Sequence, residues 1–359
     1  MTARRSAARI KLARALWYTA PGRIEMRTAS LPPLAPGHAR VATQFTGVSR
    51  GTERLVLSGA VGASEWERMR APLQEGAFPF PVKYGYCATG VVEEGPAELR
   101  GQTVFCLHPH QDFFNAPADA LAVVPEVVPA RRATLAANME TALNALWDGG
   151  AGPGDNIVVV GAGVIGILVA ALAARLPGAI VTAVDVDESR RPILESLGAA
   201  YARPEQAPGD ADIVFHASAT GTGLNASIGC AGLEGTIVEM SWYGDKPVSV
   251  DLGGAFHSRR LKLVSSQVGL ISPGRRARWD YRRRRETALG LLALPALADP
   301  NVIVLALKGA PPAVSWDRLY RRAHALEERY GMPYPRYVPR FRRMNRYDAQ
   351  QLFIAAEAA

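Results

Sequence analysis

The stretch NIVVVGAGVIGILVAALAARLPGAIVTAVD, residues 156–185, carries the patterns that decide the fold. An apolar β-branched run, Ile157–Val160, precedes the glycine string Gly161–Gly166, and a long Leu/Ala-rich segment follows it. A second β-branched run then ends at Asp185, nineteen residues after the last glycine of the string. A dinucleotide-binding βαβ unit requires a strand, a glycine turn, a helix and a second strand in this order, with an acidic residue at the end of the second strand.

The positions of the glycine turn have distinct chemical roles. Gly161 permits the tight turn, Gly163 lets backbone amides approach a pyrophosphate, and Gly166 lets the helix pack closely against its strand. Val164 and Ile165 open the helix, whose N-terminus favours phosphate charge. We therefore assign these five residues to cofactor binding.

The residues after the second strand bear on the choice between NAD and NADP. Asp185 can accept hydrogen bonds from the hydroxyls of the adenosine ribose and would repel a 2′-phosphate, which favours NAD. Arg190 and Arg191 follow closely, and they would serve a phosphate if the loop turned back. We expect NAD as the cofactor, with NADP as the alternative.

Composition indicates a globular chain without a membrane anchor. The 359 residues are 48% hydrophobic and 21% charged, enough for about two domains. The longest apolar run, residues 157–174, contains the motif glycines and splits into strand, turn and helix, so we expect no membrane span. The three scattered cysteines, Cys87, Cys106 and Cys230, indicate reduced thiols in a cytoplasmic protein. The acid-free basic stretch 4–14 favours a frayed tail over an organellar presequence.

Hydrophobic periodicity divides the chain into three regions. Residues 13–146 begin with short alternating runs broken by Pro and Gly, typical of a small antiparallel β-domain, and turn helical at 130–145. Residues 147–274 alternate helical segments with apolar runs, the last at 261–268. This alternation predicts a doubly wound parallel sheet with its ligand across the carboxyl ends of the strands. Residues 275–359 are Arg-rich and mainly helical.

This organisation resembles the medium-chain dehydrogenase/reductase superfamily, which includes the zinc alcohol dehydrogenases. The segment TGVSRGTERL, residues 46–55, the Gly85-Tyr86 pair and the glycine turn look most like the bacteriochlorophyllide a dehydrogenase branch. The resemblance covers about residues 13–290. It implies an α/β chain with a GroES-like β-rich catalytic domain, a Rossmann domain and a homodimer. In that branch the reaction oxidises a hydroxyethyl side chain of a chlorin to an acetyl group with NAD.

The metal ligands that the resemblance implies are replaced in this sequence. Ser49 stands at the position of a catalytic cysteine, Tyr86 at that of a histidine, and Ala137 or Asn138 at that of the third ligand. The four-cysteine structural lobe is absent too. Zinc needs three or four Cys, His or carboxylate ligands at about 2.0–2.3 Å, so we expect no metal. A makeshift site would have to be built from Cys87, His108 and His110.

Without zinc, hydrogen-bond donors must stabilise the substrate oxygen and side chains must move its proton. Thr52 lies in the segment that supplies the family's hydroxyl relay, and a turn-capping role suits it equally. Tyr86 would donate its phenol to the substrate or simply pack. His108 and His110 alternate on an expected strand and share one face, so one of them would shuttle protons. A structural role is the alternative for each histidine.

Two acids have competing interpretations. Glu140 is a polar residue in an apolar helical run and is expected to line the cleft as a candidate catalytic residue. Glu53 would orient Arg54 or act as a base, but we interpret it as part of a solvated surface pair.

Polar residues follow the later strands of the predicted sheet, where a bound cofactor is expected. Ser218 and Ala219 end one strand, and Ser241 and Trp242 end the next. Gln267, on the last strand, would meet the carboxamide, with edge-strand packing in a homodimer as the competing explanation. We assign all five residues to cofactor binding.

Positive charge is concentrated towards the C-terminus. The formal net charge is +8, and residues 259–346 hold twenty Lys and Arg against six Asp and Glu. Arginines interleaved with aromatic residues can bind phosphates and stack on bases. We favour a solvated surface over nucleic-acid binding.

These observations lead to one expected function and two alternatives. We expect a zinc-independent NAD(P)-dependent oxidoreductase that acts on a small-molecule alcohol or carbonyl substrate held between the two domains. The first alternative is an NADPH-dependent quinone or enoyl reductase. The second is a non-catalytic dinucleotide-binding protein whose basic C-terminal region binds an anionic partner.

Overall fold

The chain divides into two units, residues 1–307 and 308–359. The computed structural model describes residues 11–293, 303–305, 313–315, 320–321, 324 and 351–353. In the second unit, two short strands, residues 313–315 and 351–353, pair antiparallel. The predicted Arg- and Tyr-rich tail lies largely outside the described residues. Among those residues, no helix combines the length and apolarity needed to cross a bilayer.

The N-terminal part of the first unit is built from antiparallel strands, as predicted. Its strands are β1 (Leu12–Ala20), β2 (Arg23–Ser30), β3 (His38–Val48), β4 (Glu75–Gly76), β5 (Val82–Lys83), β6 (Ala88–Glu94), β7 (Thr103–Cys106), β8 (Phe113–Pro117) and β9 (Ala122–Val123). One sheet has the order β2-β1-β5-β4. The other has β3, β6, β7 and β9 in sequence, with β8 pairing β3 and residues 303–305 pairing the far end of β3.

Alternating strands of the β-rich region, such as β1, bury one of their faces, whereas β2 is exposed along its whole length. Val41, Phe105 and Phe114 are fully buried in the interior of this region. A helix, α1 (Arg50–Ser58), follows β3 and ends where Gly59 adopts the left-handed conformation, φ 72°. Its Val56 packs into a second cluster with Tyr18 and Tyr84.

The helical joint is split into two helices. These are α2 (Ala130–Ala133) and α3 (Ala136–Gly149), where a single periodic run at 130–145 was expected. The Thr134 hydroxyl donates to the carbonyl of Arg131 and helps to end the first helix. The second helix ends at Gly150, which has φ 71°.

The rest of the first unit is a parallel sheet covered by helices. Its strands are β10 (Asn156–Val160), β11 (Ile180–Val184), β12 (Ala200–Ala202), β13 (Ala211–His216), β14 (Ala231–Glu239) and β15 (Lys262–Ser265). Its helices are α4 (Val164–Ala173), α5 (Arg191–Ser196), α6 (Gly221–Cys230), α7 (Ala255–Ser258) and α8 (Tyr281–Leu291). Short 3₁₀ turns occupy Ala63–Glu65, Ala118–Ala120, Glu188–Arg190 and Pro204–Gln206.

The order of the parallel sheet is β12-β11-β10-β13-β14-β15. The strand order reverses between β10 and β13, so a crevice opens at their carboxyl ends, where ligands bind in such sheets. Strand β10 is buried on both faces because helices cover the sheet on each side. The last strand ends at Ser265, three residues before the expected end at 268, and the side chain of the next residue, Ser266, donates to Asp148.

Candidate functional site

Two close approaches and one opening shape the glycine turn between β10 and α4. Gly161 has φ +101°, and a Cβ there would lie 2.7 Å from the backbone nitrogen of Ser218. A Cβ on Gly166 would overlap the carbonyl oxygen of Gly161. Gly163 instead faces open space, with no heavy atom within 4 Å of where its Cβ would be. The protein itself excludes side chains from two of these positions, whereas the third is open to a ligand.

Helix α4 begins directly behind this opening. It has ten residues, its N-cap is Gly163, and no side chain caps its first turn. The N–H groups that Val164 and Ile165 bring to this end have no intrahelical carbonyl partner. An uncapped helix N-terminus beside an open glycine fits a phosphate group. The residues present therefore fit the pyrophosphate of a dinucleotide.

The acid after β11 is held against the glycine turn. Asp185 accepts hydrogen bonds from the backbone N–H groups of Ala162 (2.6 Å) and Asp187 (2.8 Å). Arg190 forms an ion pair with Asp187, with Nε and Oδ2 3.2 Å apart. Asp185, which would favour NAD, and Arg190, which would favour NADP, thus both lie after β11, and Arg190 already has a carboxylate partner.

A buried histidine lies at the end of β13, next to the point where the strand order reverses. His216 is the register partner of Val160 on β10 and of Glu239 on β14. Its Nδ1 lies 2.7 Å from Glu239 Oε2, and its Nε2 lies 2.7 Å from Ser218 Oγ. His216 was not among the predicted site residues, because the strand register that brings these three side chains together is not visible in the sequence.

Ser218 and Ser241, both predicted to border the cofactor, belong to the same network. The Ala219 backbone N–H donates to Ser241 Oγ (3.1 Å), and the Ser241 N–H donates to Glu239 Oε1 (2.7 Å). The Tyr243 hydroxyl donates to Glu239 Oε2 at 3.1 Å. The loops after β13 and β14 are therefore joined by hydrogen bonds beside the crevice.

The loop after β14 also reaches the β-rich region. Trp242 packs against the buried cluster that contains Tyr18 and Tyr84, and Tyr86 packs there too. The Asp245 N–H donates to the carbonyl of Ala60, which lies just beyond α1 (3.1 Å). Trp242 and Tyr86, predicted separately as cofactor and substrate residues, are thus members of one cluster.

Gln267 takes a different position from the other cofactor candidates. Its side-chain Oε1 accepts a hydrogen bond from the backbone N–H of Gly269 (2.7 Å), and the residue is exposed. It lies after the end of β15, in the turn that leads away from the sheet.

Tyr86 packs against two of the hydrophobic clusters of the first unit, one that contains Phe105 and one that contains Tyr18. A side-chain hydrogen bond links its phenol to Ser49, and burial raises the pKa of the phenol well above its usual value. Thr52 lies in α1, whose N-cap is Ser49, and is partly buried. Tyr86 therefore remains a protonated hydrogen-bond donor throughout the physiological pH range.

Glu53 is buried, so its interpretation as part of a solvated surface pair was wrong. Its Oε2 lies 2.6 Å from His110 Nε2 and accepts a hydrogen bond from the Tyr18 hydroxyl (2.7 Å). Its Oε1 accepts from the Ser49 backbone N–H (2.7 Å). The other ring nitrogen of His110 lies 2.6 Å from Thr46 Oγ1. Glu53 and His110 thus tie α1, β1 and β3 together.

His108 and His110 do not share a strand face as expected, because β7 ends at Cys106 and both residues lie in the loop beyond it. The His108 ring stacks on Phe114 with ring centroids 3.8 Å apart, and its Nδ1 lies 2.8 Å from the carbonyl oxygen of Pro109. Burial lowers the pKa of His108 to about 3, so the ring is neutral at physiological pH. Its surroundings favour the structural role.

Glu140, expected to line the cleft, is buried between α3 and α8. Its Oε1 lies 3.1 Å from Arg284 Nε, and its Oε2 lies 3.6 Å from Arg285 Nε. Arg284 also donates to Asn144 Oδ1 (2.9 Å) and to the carbonyl of Val268 (2.7 Å). Both carboxylate oxygens are therefore engaged by arginines.

The donors near the expected zinc position do not fit a zinc ion. Ser49 and Tyr86 offer neutral hydroxyl groups that bond to each other. Burial raises the pKa of the neighbouring Cys87 thiol well above its usual value, which opposes the thiolate that zinc requires. Within the described ranges, no group of three or more His, Cys, Asp and Glu residues is arranged to hold a metal.

Comparison with known proteins gives a consistent result for the fold. No family model matches the chain. An uncharacterised zinc-type alcohol dehydrogenase-like protein from Haemophilus influenzae is 32% identical over 144 residues, 37% of this chain and 42% of that protein. The chain therefore spans about two fifths of the length of this curated relative.

Solved structures match over most of the chain. A zinc-binding dehydrogenase from Sinorhizobium meliloti, bound to NADP, has a TM-score of 0.63 at 19% identity, covering 80% of this chain and 90% of that one. A cobalt- and zinc-bound thermostable alcohol dehydrogenase from Pyrobaculum aerophilum has a TM-score of 0.62 at 21% identity, covering 79% and 89%. The comparisons confirm the predicted fold and the resemblance to zinc-type alcohol dehydrogenases.

Proposed function

We propose that this chain, which has the fold of the zinc-type dehydrogenases, is a zinc-independent NAD(P)-dependent oxidoreductase that interconverts an alcohol and a carbonyl compound. The observation that carries the proposal is the glycine turn, where Gly163 opens towards the uncapped end of α4 beside the strand-order reversal. A dinucleotide held there would extend across the carboxyl ends of β10 and β13. When bound, the cofactor supplies hydride transfer, and the protein supplies position and polarisation.

The loop after β11 supports NAD over NADP. Asp185, Asp187 and Glu188 make the loop after β11 acidic, and a 2′-phosphate would add further negative charge to it. The nearby arginines already have acidic partners: Arg190 pairs with Asp187, Arg191 with Glu188 and Glu195, and Arg203 with Glu188. A phosphate would have to displace these pairs, so we infer a preference for NAD, although the S. meliloti neighbour was crystallised with NADP.

Hydrogen bonding replaces a metal in the proposed substrate site. Tyr86 stays protonated because burial raises the pKa of its phenol. Such a neutral donor can stabilise a developing negative charge on a carbonyl or alkoxide oxygen in a site from which water is excluded. Thr52, partly exposed on the neighbouring helix, is the second candidate donor.

We further propose a hydroxyethyl-chlorin substrate and domain boundaries at 146/147 and 274/275. We also propose a homodimer formed through the edge strand β15 and a cytoplasmic location. Binding of an anionic partner by the basic C-terminal region belongs to the non-catalytic alternative.

A fluorescence titration of the purified chain with NADH and NADPH tests the proposal. We expect saturable binding of both, with NADH at least about tenfold tighter, which corresponds to about 1.4 kcal/mol. Tighter NADPH binding would favour the quinone or enoyl reductase alternative. If neither nucleotide binds at millimolar concentration, the proposed function is wrong. Elemental analysis of protein prepared without chelator checks the metal, and one tightly held zinc per chain would contradict zinc independence.

A further inference from the structure

Arginines are concentrated in the loop after β15 and in the first turns of α8. Arg284 and Arg285 face the buried Glu140, and Arg282 pairs with Glu286. The other four arginines of this stretch are exposed, and in the part of the chain that the structure describes none of them forms an ion pair. These four, which we call the arginine surface, are Arg275, Arg276, Arg278 and Arg283.

Two tryptophans hold the arginine surface in place. Trp279 packs against Trp147 of α3, with ring centroids 4.7 Å apart. The guanidinium carbon of Arg283 lies 4.1 Å from the ring centroid of Trp279, and that of Arg275 lies 5.5 Å from the ring centroid of Trp147. Arg283 also donates to the carbonyl of Arg278 (2.7 Å). Stacking uses the face of a guanidinium and leaves N–H groups at its edge, so these positioned arginines can still bind oxyanions.

Exposed apolar side chains lie beside these charges. Leu270 is 61% exposed and Tyr281 is 48% exposed. Arg276 Nε donates to the carbonyl of Ile271 (2.8 Å), and the Tyr281 hydroxyl donates to the carbonyl of Gly269 (2.8 Å). The chain is thus fastened on both sides of Leu270, so this leucine is held next to the arginine surface and the start of α8.

This combination of side chains fits the surface of an anionic lipid bilayer. Each basic residue close to such a surface strengthens binding about fivefold, because the lipid head groups set up a negative potential. Leucine enters the boundary between head groups and acyl chains, and tyrosine is favoured at the level of the head groups. The arginine surface supplies the charge, and Leu270 and Tyr281 supply the apolar contact.

The same contacts argue against a single-stranded nucleic acid as the partner. Bases bind by stacking on open aromatic rings. Trp279 already carries the guanidinium of Arg283, and the guanidinium carbon of Arg284 lies 5.5 Å from the ring centroid of Tyr281. An exposed leucine gains nothing from a phosphate backbone, whereas burial against acyl chains stabilises it.

We propose that the arginine surface, together with Leu270 and Tyr281, binds the protein reversibly to anionic membranes. The arginines contact lipid phosphates, and Leu270 enters the edge of the apolar layer. This contact is with the surface of the bilayer and needs no spanning helix. It does not depend on the proposed function, because none of these residues belongs to the glycine turn or the proposed substrate site.

Flotation of the full chain with lipid vesicles tests the proposal. The vesicles contain phosphatidylcholine alone or with about one quarter phosphatidylglycerol, which is anionic. We expect the chain to float with the anionic vesicles and not with the neutral ones. Raising the NaCl concentration from about 0.05 M to about 0.5 M should release most of it, because salt screens exposed charges.

Paired variants assign the binding to this surface, since the sequence holds further arginines after residue 293. Arg275→Gln/Arg278→Gln should weaken binding to anionic vesicles at least about tenfold. Arg23→Gln/Arg68→Gln removes the same charge from exposed positions of the β-rich region and should weaken it less than about twofold.

A second pair of variants tests the apolar contact. Leu270→Ser should weaken binding at least about threefold. Leu233→Ser, which changes a leucine that is 73% exposed near the amino end of β14, should leave binding unchanged. All of these substitutions are at exposed positions, and thermal unfolding of each variant checks that its fold is intact.

Equal binding to neutral and anionic vesicles, or binding to neither, would overturn the proposal. It is also wrong if the two double arginine variants lose the same affinity, or if Leu270→Ser binds like Leu233→Ser. Binding of polyuridylate that Arg275→Gln/Arg278→Gln loses, while its vesicle binding stays intact, would assign the arginine surface to nucleic acid instead.

Discussion

Gly163 differs from its neighbours in the glycine turn because nothing in the protein opposes a side chain there. We predict that Gly163→Ala lowers the affinity for NADH at least about tenfold, since its methyl group would occupy the space left for the pyrophosphate. The thermal unfolding midpoint should change little. Gly229→Ala is the matched control, because that glycine also faces open space, on α6. Equal NADH affinity in both variants would show that no phosphate rests on Gly163.

His108 makes stability depend on pH. Burial lowers its pKa to about 3, whereas an unfolded histidine titrates near about 6.5. Below about pH 6.5 the unfolded chain binds a proton that the folded chain does not bind. The free energy of unfolding therefore falls by about 1.4 kcal/mol per pH unit. Between pH 7 and 5 the unmodified chain should therefore lose about 2 kcal/mol more than His108→Gln in urea unfolding. An equal loss of unfolding free energy in both proteins would show that His108 accepts a proton in the folded state.

At the scale of elements, α3 and α8 are joined by a buried ion cluster. Arg284 contacts Glu140 and Asn144, and removing one partner of a buried pair leaves an uncompensated charge. We predict that Arg284→Met lowers the free energy of unfolding by about 3–5 kcal/mol, and that adding Glu140→Leu recovers a large part of it. Chemical denaturation of both variants measures this.

The neighbouring Arg282 provides the control for this cluster. It forms an exposed ion pair with Glu286 on the same helix. Arg282→Met should change stability by less than about 0.5 kcal/mol. A similarly small effect of Arg284→Met would show that the buried cluster contributes little to joining the helices.

Hydrophobic periodicity predicted some features of these helices and missed others. The apolar run at 130–145 correctly predicted helix, but not the break near Thr134, which depends on a local hydroxyl bond. Glu140 was predicted as a cleft residue because a polar side chain stood out in an apolar run. Its partner Arg284 is 144 residues away, and no local pattern connects them.

At the scale of the whole molecule, the alternation of apolar runs was sufficient to predict an antiparallel region followed by a doubly wound sheet. The glycine turn and Asp185 lie together, because their spacing is fixed within one βαβ unit. The network around His216 was not predicted. It requires Val160, His216 and Glu239 to be in register on three adjacent strands, and register is a property of the folded sheet.

The attachment of the loop after β14 to the end of α1 requires a glycine. The Asp245 N–H bonds the carbonyl of Ala60, and the preceding Gly244, with φ 69°, lies so close that a Cβ there would clash with the same carbonyl oxygen. Trp242 adds side-chain packing against the cluster of Tyr18 and Tyr84. Any side chain at Gly244 would therefore separate the loop from the end of α1, although this residue contacts no ligand in the proposed site.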